Sequence, residues 1–576
     1  MNGGEIIVQQ LKKKDVKVLF TLCGGHIAPI YVAAEKAGLR VIDVRNEATA
    51  VFAADAVARL SGITGVAVVT AGPGLTNSIT AMKNAQMAHS PILVFAGATA
   101  TLLRNRGALQ DIDQVSIVSS LVKKNFTVSR LKQLAPAVQQ AISIAGYGVR
   151  GPVYIECPVD LLFDEVTVRE WYSFLSKKKN NGLKEKIIQW YIGNHINKLF
   201  KKSENGIIPA TKKLQPPAAS NFQLKKLTGM ISKAKKPVLV LGSAVMANPT
   251  LAAELAEAIK KIGIPTYLSG MARGLLGHQH PIHFHHKRKA ALKEADLIIL
   301  AGLPCDFRLN YGNELSSKAK KVTINNVSTE LKKNISPNLA IHCQPANCIL
   351  SLYKNTADWP DWSDWKKELK ERELEREKVI TEMSEATTKN INPVLLFRKM
   401  EELLPENSII VSDGGDFAAT SSYILHPRKP LSSLDSGVFG TLGVGAGFAI
   451  GAALCHPGDY IFIVYGDGSA GYSLAEFDTF TKLGLKVCAI VGNNGAWEQV
   501  ARDQVALLGS DTATVIPRSD YQLIAKSFGA DGERTETIGE FEQALKKSIE
   551  SMNKGVPYLI NAIIGTTPFR EGSISI

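Results

Sequence analysis

The sequence predicts an α/β protein of three doubly wound parallel-sheet domains. Three observations carry that expectation. A chain of 576 residues is too long for one core, at about 150 residues per domain. A composition that is 45% hydrophobic and 21% charged lies in the ordinary globular range and excludes disordered, collagen-like and coiled-coil chains. Short β-branched runs alternate with longer helical stretches in three separate blocks, the pattern of strands buried on both faces by crossover helices.

The first block, residues 1–165, runs VKVLF, VIDV, an Ala-rich helix, GVAVVT, a further helix and PILVFAG. A basic amphipathic linker is expected over 166–220. It holds Lys177, Lys178, Lys179, Lys184, Lys186, Lys198, Lys201, Lys202, Lys212 and Lys213 and ends among the breakers Pro209, Pro216 and Pro217. Within it, IIQWYIGNHINKLF sets Trp190, Tyr191, Ile192, Ile196, Leu199 and Phe200 between lysines. That reads either as an amphipathic helix covering the first domain or as a peripheral membrane contact.

The central block, residues 221–355, carries PVLVLGS, DLIILAG and KVTINNV. It is Rossmann-like but lacks Gly-x-Gly-x-x-Gly, so FAD, ADP, the nucleotide part of CoA and no nucleotide at all stay open. His278, His280, His283, His285 and His286 lie in it at no metal-site spacing and with no cysteine beside them, so a solvated loop is expected. Trp359, Trp362 and Trp365 then lead into KKELKERELEREKVI, a charged linker helix over 356–390 whose mixed signs predict solvation. The last block, 391–576, repeats the alternation with NSIIVSDGG, DYIFIVYGDG and KVCAIVGNN, and reads as a fold related to the first.

The net charge of +14 invites an anionic partner. Much of the excess sits in the 166–220 stretch and no nucleic-acid module accompanies it, which argues against nucleic acid. Seven scattered cysteines without a Cys-x-x-Cys pair predict free thiols in a reducing compartment. No secretory signal and no C-terminal peroxisomal address is visible, so a cytosolic or endoplasmic-reticulum-associated location is expected. The uncharged run from Gly437 to Cys455 has nineteen residues, six of them glycine. A turn and a tightly packed buried helix suit it better than a membrane span.

The sharpest chemical signal is Gly466-Asp467-Gly468 after IFIVY, followed by Asn493-Asn494 after KVCAIV. Both fall at carboxyl ends of strands, where open parallel sheets bind ligands and glycines admit a phosphate to backbone amides. Asp467 and Asn494 supply hard oxygen ligands suited to Mg²⁺. Alone, Gly-Asp-Gly is an ordinary turn.

These motifs resemble the thiamine-diphosphate fingerprint of the superfamily that holds acetolactate synthases and 2-hydroxyacyl-CoA lyases. Stretches such as VTAGPGLTNSITAMKNAQMAHSPIL, GMARGLLG and FGTLGVGAGFAIGA extend the likeness over nearly the whole chain, toward the acetolactate synthase-like branch of the lyases. The resemblance implies pyrimidine, central and diphosphate domains, in that order. It implies that Glu47 bonds the cofactor's aminopyrimidine and promotes its imino tautomer. Without the family, Glu47 reads as a first-turn acid behind an Asn46 N-cap.

Pro73 in the Gly-Pro-Gly loop and Asn77 would neighbour the cofactor ring, while Gly414, Gly415, Asp416, Gly468 and Ser469 would hold its diphosphate. An acidic Asp416 beside phosphate needs amides and Mg²⁺ to outweigh it. The Gly440 segment would accept from the 4′-amino group, with Leu442 as the apolar wedge that bends the cofactor. Asp467, Asn494 and the Ala496 carbonyl would hold Mg²⁺. Gln110 matches a glutamine near substrate, and His26 is a candidate acid–base group or a loop histidine bonded to backbone.

The implied activity is cleavage of a 2-hydroxy fatty acyl-CoA to formyl-CoA and a chain-shortened aldehyde, the chemistry of fatty acid α-oxidation. The implied assembly is a homodimer or homotetramer with sites between subunits. Two alternatives stand beside it: acetolactate synthase-type condensation of 2-keto acids, against which His26 and the Gln110 context weigh, and a non-catalytic scaffold. Intact Glu47, Asp467 and Asn494 weigh against the scaffold.

Overall fold

A computed structural model describes residues 1–176, 183–201, 217–355 and 358–572. Lys177, Lys178, Lys179, Lys202, Lys212, Lys213, Pro209, Pro216 and residues 573–576 lie outside the described residues. The chain forms two compact units, Met1–Ala58 with Ile63–Leu214, and Arg59–Gly62 with Gln215–Ile576.

In the first unit, strands β1 (Val18–Thr21), β2 (Arg40–Asp43), β3 (Gly65–Val69), β4 (Ile92–Ala98), β5 (Lys124–Thr127) and β6 (Val153–Pro158) form one parallel sheet. Their order is β2-β1-β3-β4-β6-β5. The apolar runs behave as composition predicts for strands covered on both faces: every residue of β3, β4 and β6 is buried.

The second unit holds two parallel sheets. Strands β7 (Pro237–Leu241), β8 (Thr266–Leu268), β9 (Leu297–Ala301), β10 (Lys320–Asn325) and β11 (Leu339–His342) run in the order β11-β10-β9-β7-β8. Strands β12 (Ser408–Ser412), β13 (Ser433–Asp435), β14 (Tyr460–Gly466), β15 (Val487–Asn493), β16 (Asp531–Thr535) and β17 (Tyr558–Ile563) run β13-β12-β14-β15-β17-β16. The first and last sheets therefore share one connectivity. In each, the chain lays its second strand on one side of the first and its third on the other, which leaves a crevice at the carboxyl ends between them.

The glycine-rich run becomes a 3₁₀ turn, Gly437–Phe439, and a helix, Val444–Cys455, buried along nearly its whole length. The glycines have a packing cause. A Cβ at Gly445 would stand 2.6 Å from the ring of Tyr465, so only glycine lets this helix lie on β14. No helix among the described residues is long and apolar enough to cross a membrane.

Two expectations need correction, and the 166–220 stretch gains detail: the helices Glu165–Ser176 and Leu183–Phe200 belong to the first unit, as an amphipathic helix covering that domain would. Val168, Tyr172 and Ile196 form a buried cluster with Ala100, and Leu199 joins the main core. The hydroxyl of Tyr172 donates to Asp160 at 2.7 Å, and Thr101 Oγ1 lies 2.8 Å from His195 Nε2, tying both helices to the sheet edge.

The charged helix Ser363–Glu385 is solvated on one side only. Trp365, Leu369, Glu373 and Ile380 are buried on the other, and the indoles of Trp362 and Trp365 donate to the carbonyls of Ala234 and Pro237.

The histidine run is not a solvated loop. Glu373 accepts the His285 amide at 2.9 Å, the rings of His283 and His285 stand 3.9 Å apart, and His426 packs on His285 at 4.2 Å. Burial pushes His283 down from 6.5 to about 4, helped by the charges of His426, Arg273 and His280. A histidine depressed in the folded state contributes stability that is complete above its unfolded value and is lost as pH falls toward the folded one. Unfolding free energy measured in urea should therefore drop between pH 6.5 and about 4, with His283 contributing up to about 3 kcal/mol of the fall. His283→Asn should flatten that part of the profile, and an unchanged slope would reject the assignment.

Candidate active site

In the last sheet, Ser412 pairs with Val464 and Gly466 with Gly492. That register brings the chain just beyond β12, β14 and β15 to one edge, at the crevice between β12 and β14. A cavity of about 450 Å³ opens there. Gly414, Gly415, Asp416, Gly440, Leu442, Asp467, Gly468, Ser469, Asn494 and Ala496 all line it, though they come from four segments of sequence.

The helix Asp416–Ile424 starts in this cavity behind Gly415, whose φ of 93° only glycine adopts readily. No side chain caps it, so its first amides are open to an anion. Gly414 has a different reason to be glycine: a Cβ there would lie 2.2 Å from Leu442 Cδ2. Gly414→Ala should cost about 1–3 kcal/mol through overpacking, read as a lowered melting temperature. Adding Leu442→Ala should recover it, and a single variant as stable as the parent would show that Leu442 does not press on the loop.

Asp467 directly follows β14 and is buried. Its carboxylate accepts the amides of Gly495 at 2.7 Å and Gly468 at 2.8 Å. Burial nevertheless wins and raises its pKa, so a cation at this carboxylate would offset a desolvation cost that two amides leave uncovered. Asn494 Oδ1 accepts from the Ala496 amide at 3.2 Å, and its Nδ2 donates to Glu498 at 2.8 Å. Asp467, Asn494 and Ala496 line the cavity, and their side-chain and backbone oxygens are hard donors of the kind that suits Mg²⁺.

The charge of Asp416 is met within the chain. Its carboxylate does not face the cavity as a free charge, because Arg502 pairs with it and Arg570 Nε stands 3.8 Å away. The acidic loop is neutralised by guanidinium groups from later in the chain.

Three further roles escaped the sequence reading. Asp413, wholly buried, accepts from the amides of Gly443 at 2.9 Å and Gly445 at 2.6 Å, and burial raises it to about 7. It ties the turn bearing Leu442 to the end of β12. Glu498 holds Asn494 and is raised by burial and by Asp416. Arg502 stands one turn after Glu498 on the helix Glu498–Leu508, an i, i+4 pair that was the available signal.

The first unit gathers a second group at its own crevice, between β1 and β3. Glu47 opens the helix Glu47–Ser61, is buried, and accepts from Asn77 Nδ2 at 3.0 Å. Asn46 does cap the helix, its Oδ1 accepting the Ala48 amide at 2.8 Å. Pro73 starts the helix Pro73–Asn77 that carries Asn77 to Glu47. A Cβ at Gly74 would meet Thr70 at 2.8 Å and Glu47 Oε1 at 3.4 Å.

Gln110 lies against Gly72, where a Cβ would stand 2.9 Å from its own. His26 lies against Gly97 and is lowered by burial, so it is neutral at pH 7. Gln114, which the sequence did not flag, joins these loops: its Oε1 accepts the Gly72 amide and its Nε2 donates to the Gly97 carbonyl, both at 3.0 Å.

Family models of the thiamine pyrophosphate enzymes match the chain in three places. The N-terminal TPP binding domain covers residues 1–117, the central domain 224–352 and the C-terminal TPP binding domain 413–562. The chain is also 46% identical to 2-hydroxyacyl-CoA lyase 2 of Danio rerio, across 100% of this chain and 93% of the relative. The chain belongs to the 2-hydroxyacyl-CoA lyase 2 family of thiamine pyrophosphate enzymes.

The Homo sapiens member of that lyase family is 43% identical, across 100% and 92% of the two chains. An acetolactate synthase large subunit of Mycobacterium tuberculosis stands further off at 29%, across 98% and 96%. Among solved structures, the thiamine diphosphate-dependent 4-hydroxybenzoylformate decarboxylase of Rhodococcus jostii shares the fold, with a TM-score of 0.77 at 19% identity over 98% of this chain and 99% of that one. The first and last sheets of this lyase-family chain are thus its two thiamine-diphosphate-binding domains. The open amides at Asp416 and the buried donors at Asp467 fit a diphosphate with its metal.

Proposed function

We propose that the chain cleaves 2-hydroxyacyl-CoA thioesters to formyl-CoA and an aldehyde one carbon shorter, using thiamine diphosphate and Mg²⁺. The observation that carries this reading is an undamaged donor set in both thiamine-diphosphate-binding domains of a chain that matches 2-hydroxyacyl-CoA lyases from end to end.

Thiamine diphosphate, when bound, supplies the carbon nucleophile and the electron sink that C1–C2 cleavage needs. The chain does the rest. Asp467, Asn494 and the Ala496 carbonyl would hold Mg²⁺, and the Gly414, Gly415 and Asp416 amides with Gly468 and Ser469 would hold the diphosphate. Leu442, braced by Asp413 through Gly443 and Gly445, would shape the space above them. Glu47, whose Oε2 accepts from Asn77, would exchange a proton with the aminopyrimidine through Oε1. A neutral His26 is in the right state to accept the proton of the substrate's 2-hydroxyl. That proton balances the reaction when it returns to the carbon that becomes formyl-CoA. A homodimer or homotetramer accompanies this reading.

The test is product analysis of purified protein with thiamine diphosphate and Mg²⁺, offered a 2-hydroxyacyl-CoA together with pyruvate. Formyl-CoA and aldehyde in equal amounts are expected. Acetolactate alone would replace the lyase reading with a synthase, and neither product would leave a scaffold.

A further inference from the structure

The helix Leu183–Phe200 is apolar on two opposite faces. Ile196 and Leu199 are buried inward, and His195 reaches Thr101. Leu183, Ile187, Trp190 and Tyr191, spaced i, i+4, i+7, i+8, form a second stripe pointing away from that core. They are 77%, 56%, 69% and 54% exposed. Isolated exposed apolar residues need no explanation, but a contiguous stripe on one helix face does.

Its chemistry selects an occupant. Tryptophan and tyrosine pair an apolar ring with a polar N–H or O–H, the combination that settles at a boundary between water and hydrocarbon. Lys186 and Lys198 are exposed on the same helix and Lys201 just beyond it. Between residues 177 and 213 the sequence has ten lysines against two acidic residues, Glu185 and Glu204. A two-fold contact between copies through this face would set Lys186, Lys198 and Lys201 against their own equivalents. An anionic surface would meet them with opposite charge.

We propose that this face docks the chain on an anionic lipid bilayer, with Leu183, Ile187, Trp190 and Tyr191 entering the interface and Lys186, Lys198 and Lys201 contacting headgroups. Such a helix lies in the plane of the membrane and does not cross it. The inner face stays bound to the first unit, so docking needs no unfolding of the helix from its core.

Flotation of the full-length protein tests this. The probes are phosphatidylcholine vesicles and vesicles with roughly one-third phosphatidylserine. The expected result is flotation with the anionic vesicles, weaker at high salt, and at least a tenfold loss of bound fraction in Ile187→Glu/Trp190→Glu. Thermal stability and turnover of a short-chain, water-soluble 2-hydroxyacyl-CoA should not change in that variant, because neither residue touches the sites described above. No flotation with anionic vesicles would overturn the proposal, as would undiminished flotation of the variant. A parent oligomer that the variant splits, seen by light scattering, would assign the face to a second copy. Binding lost only in Lys186→Gln/Lys198→Gln would make it a plain polyanion site.

Discussion

Glu47→Gln should lower kcat for 2-hydroxyacyl-CoA cleavage by about 10² to 10⁴-fold and leave the fold standing. The substitution keeps shape and burial, and an amide oxygen can still accept from Asn77 as the carboxylate does at 3.0 Å. It cannot take up and return a proton. The carboxylate is buried in the first turn of the helix Glu47–Ser61, beside Asn77. Glutamine removes that exchange alone.

The measurement is formyl-CoA release at saturating thiamine diphosphate, beside a melting curve. A melting temperature near the parent's with a kcat loss in that range assigns the proton transfer to Glu47. A kcat within tenfold of the parent would leave Glu47 as the first-turn acid that its Asn46 cap also allows.

Much of this organisation can be read from one dimension. Runs such as GVAVV and ILVFAGA are apolar at every position because both faces of their strands are covered, and no partner has to be known to see it. The chemistry-bearing motifs are equally visible, since Asp467 and Asn494 sit where strands end and the crevice of a doubly wound sheet lies at that edge. What stays hidden depends on residues far away in sequence. Asp416 looks like a misplaced charge beside phosphate until Arg502, 86 residues on, is found paired with it.

The helix Ser363–Glu385 hides its inner face for a different reason. Trp365, Leu369, Glu373 and Ile380 do recur at helical spacing, but the stripe contains a glutamate, which masks it as a solvated surface. That glutamate is buried because His285 supplies an amide for its carboxylate. One contact thus accounts for two misread elements, the charged helix and the histidine run. Asp413 is similar: nothing in Ser-Asp-Gly-Gly announces that the aspartate will brace a turn thirty residues later, at Gly443.

Asp467→Asn should raise the Mg²⁺ concentration needed for half-maximal activity by at least about 100-fold, the upper range for disturbing a metal site's supporting groups and a lower bound for a ligand itself. The asparagine oxygen can still accept one of the two amides, from Gly495 or Gly468, so the turn after β14 keeps most of its bonding. The charge is what disappears. A buried carboxylate whose pKa burial has raised is costly to keep ionised, and a divalent cation is the partner that repays it.

The variant should therefore be as stable as the parent, or more so, without metal, and should gain less stability than the parent when Mg²⁺ and thiamine diphosphate are added together. Melting curves with and without the pair separate these effects from activity. Equal stabilisation of both proteins would place the metal elsewhere. A variant that melts well below the parent without ligands would show that Asp467 serves the turn more than the cation.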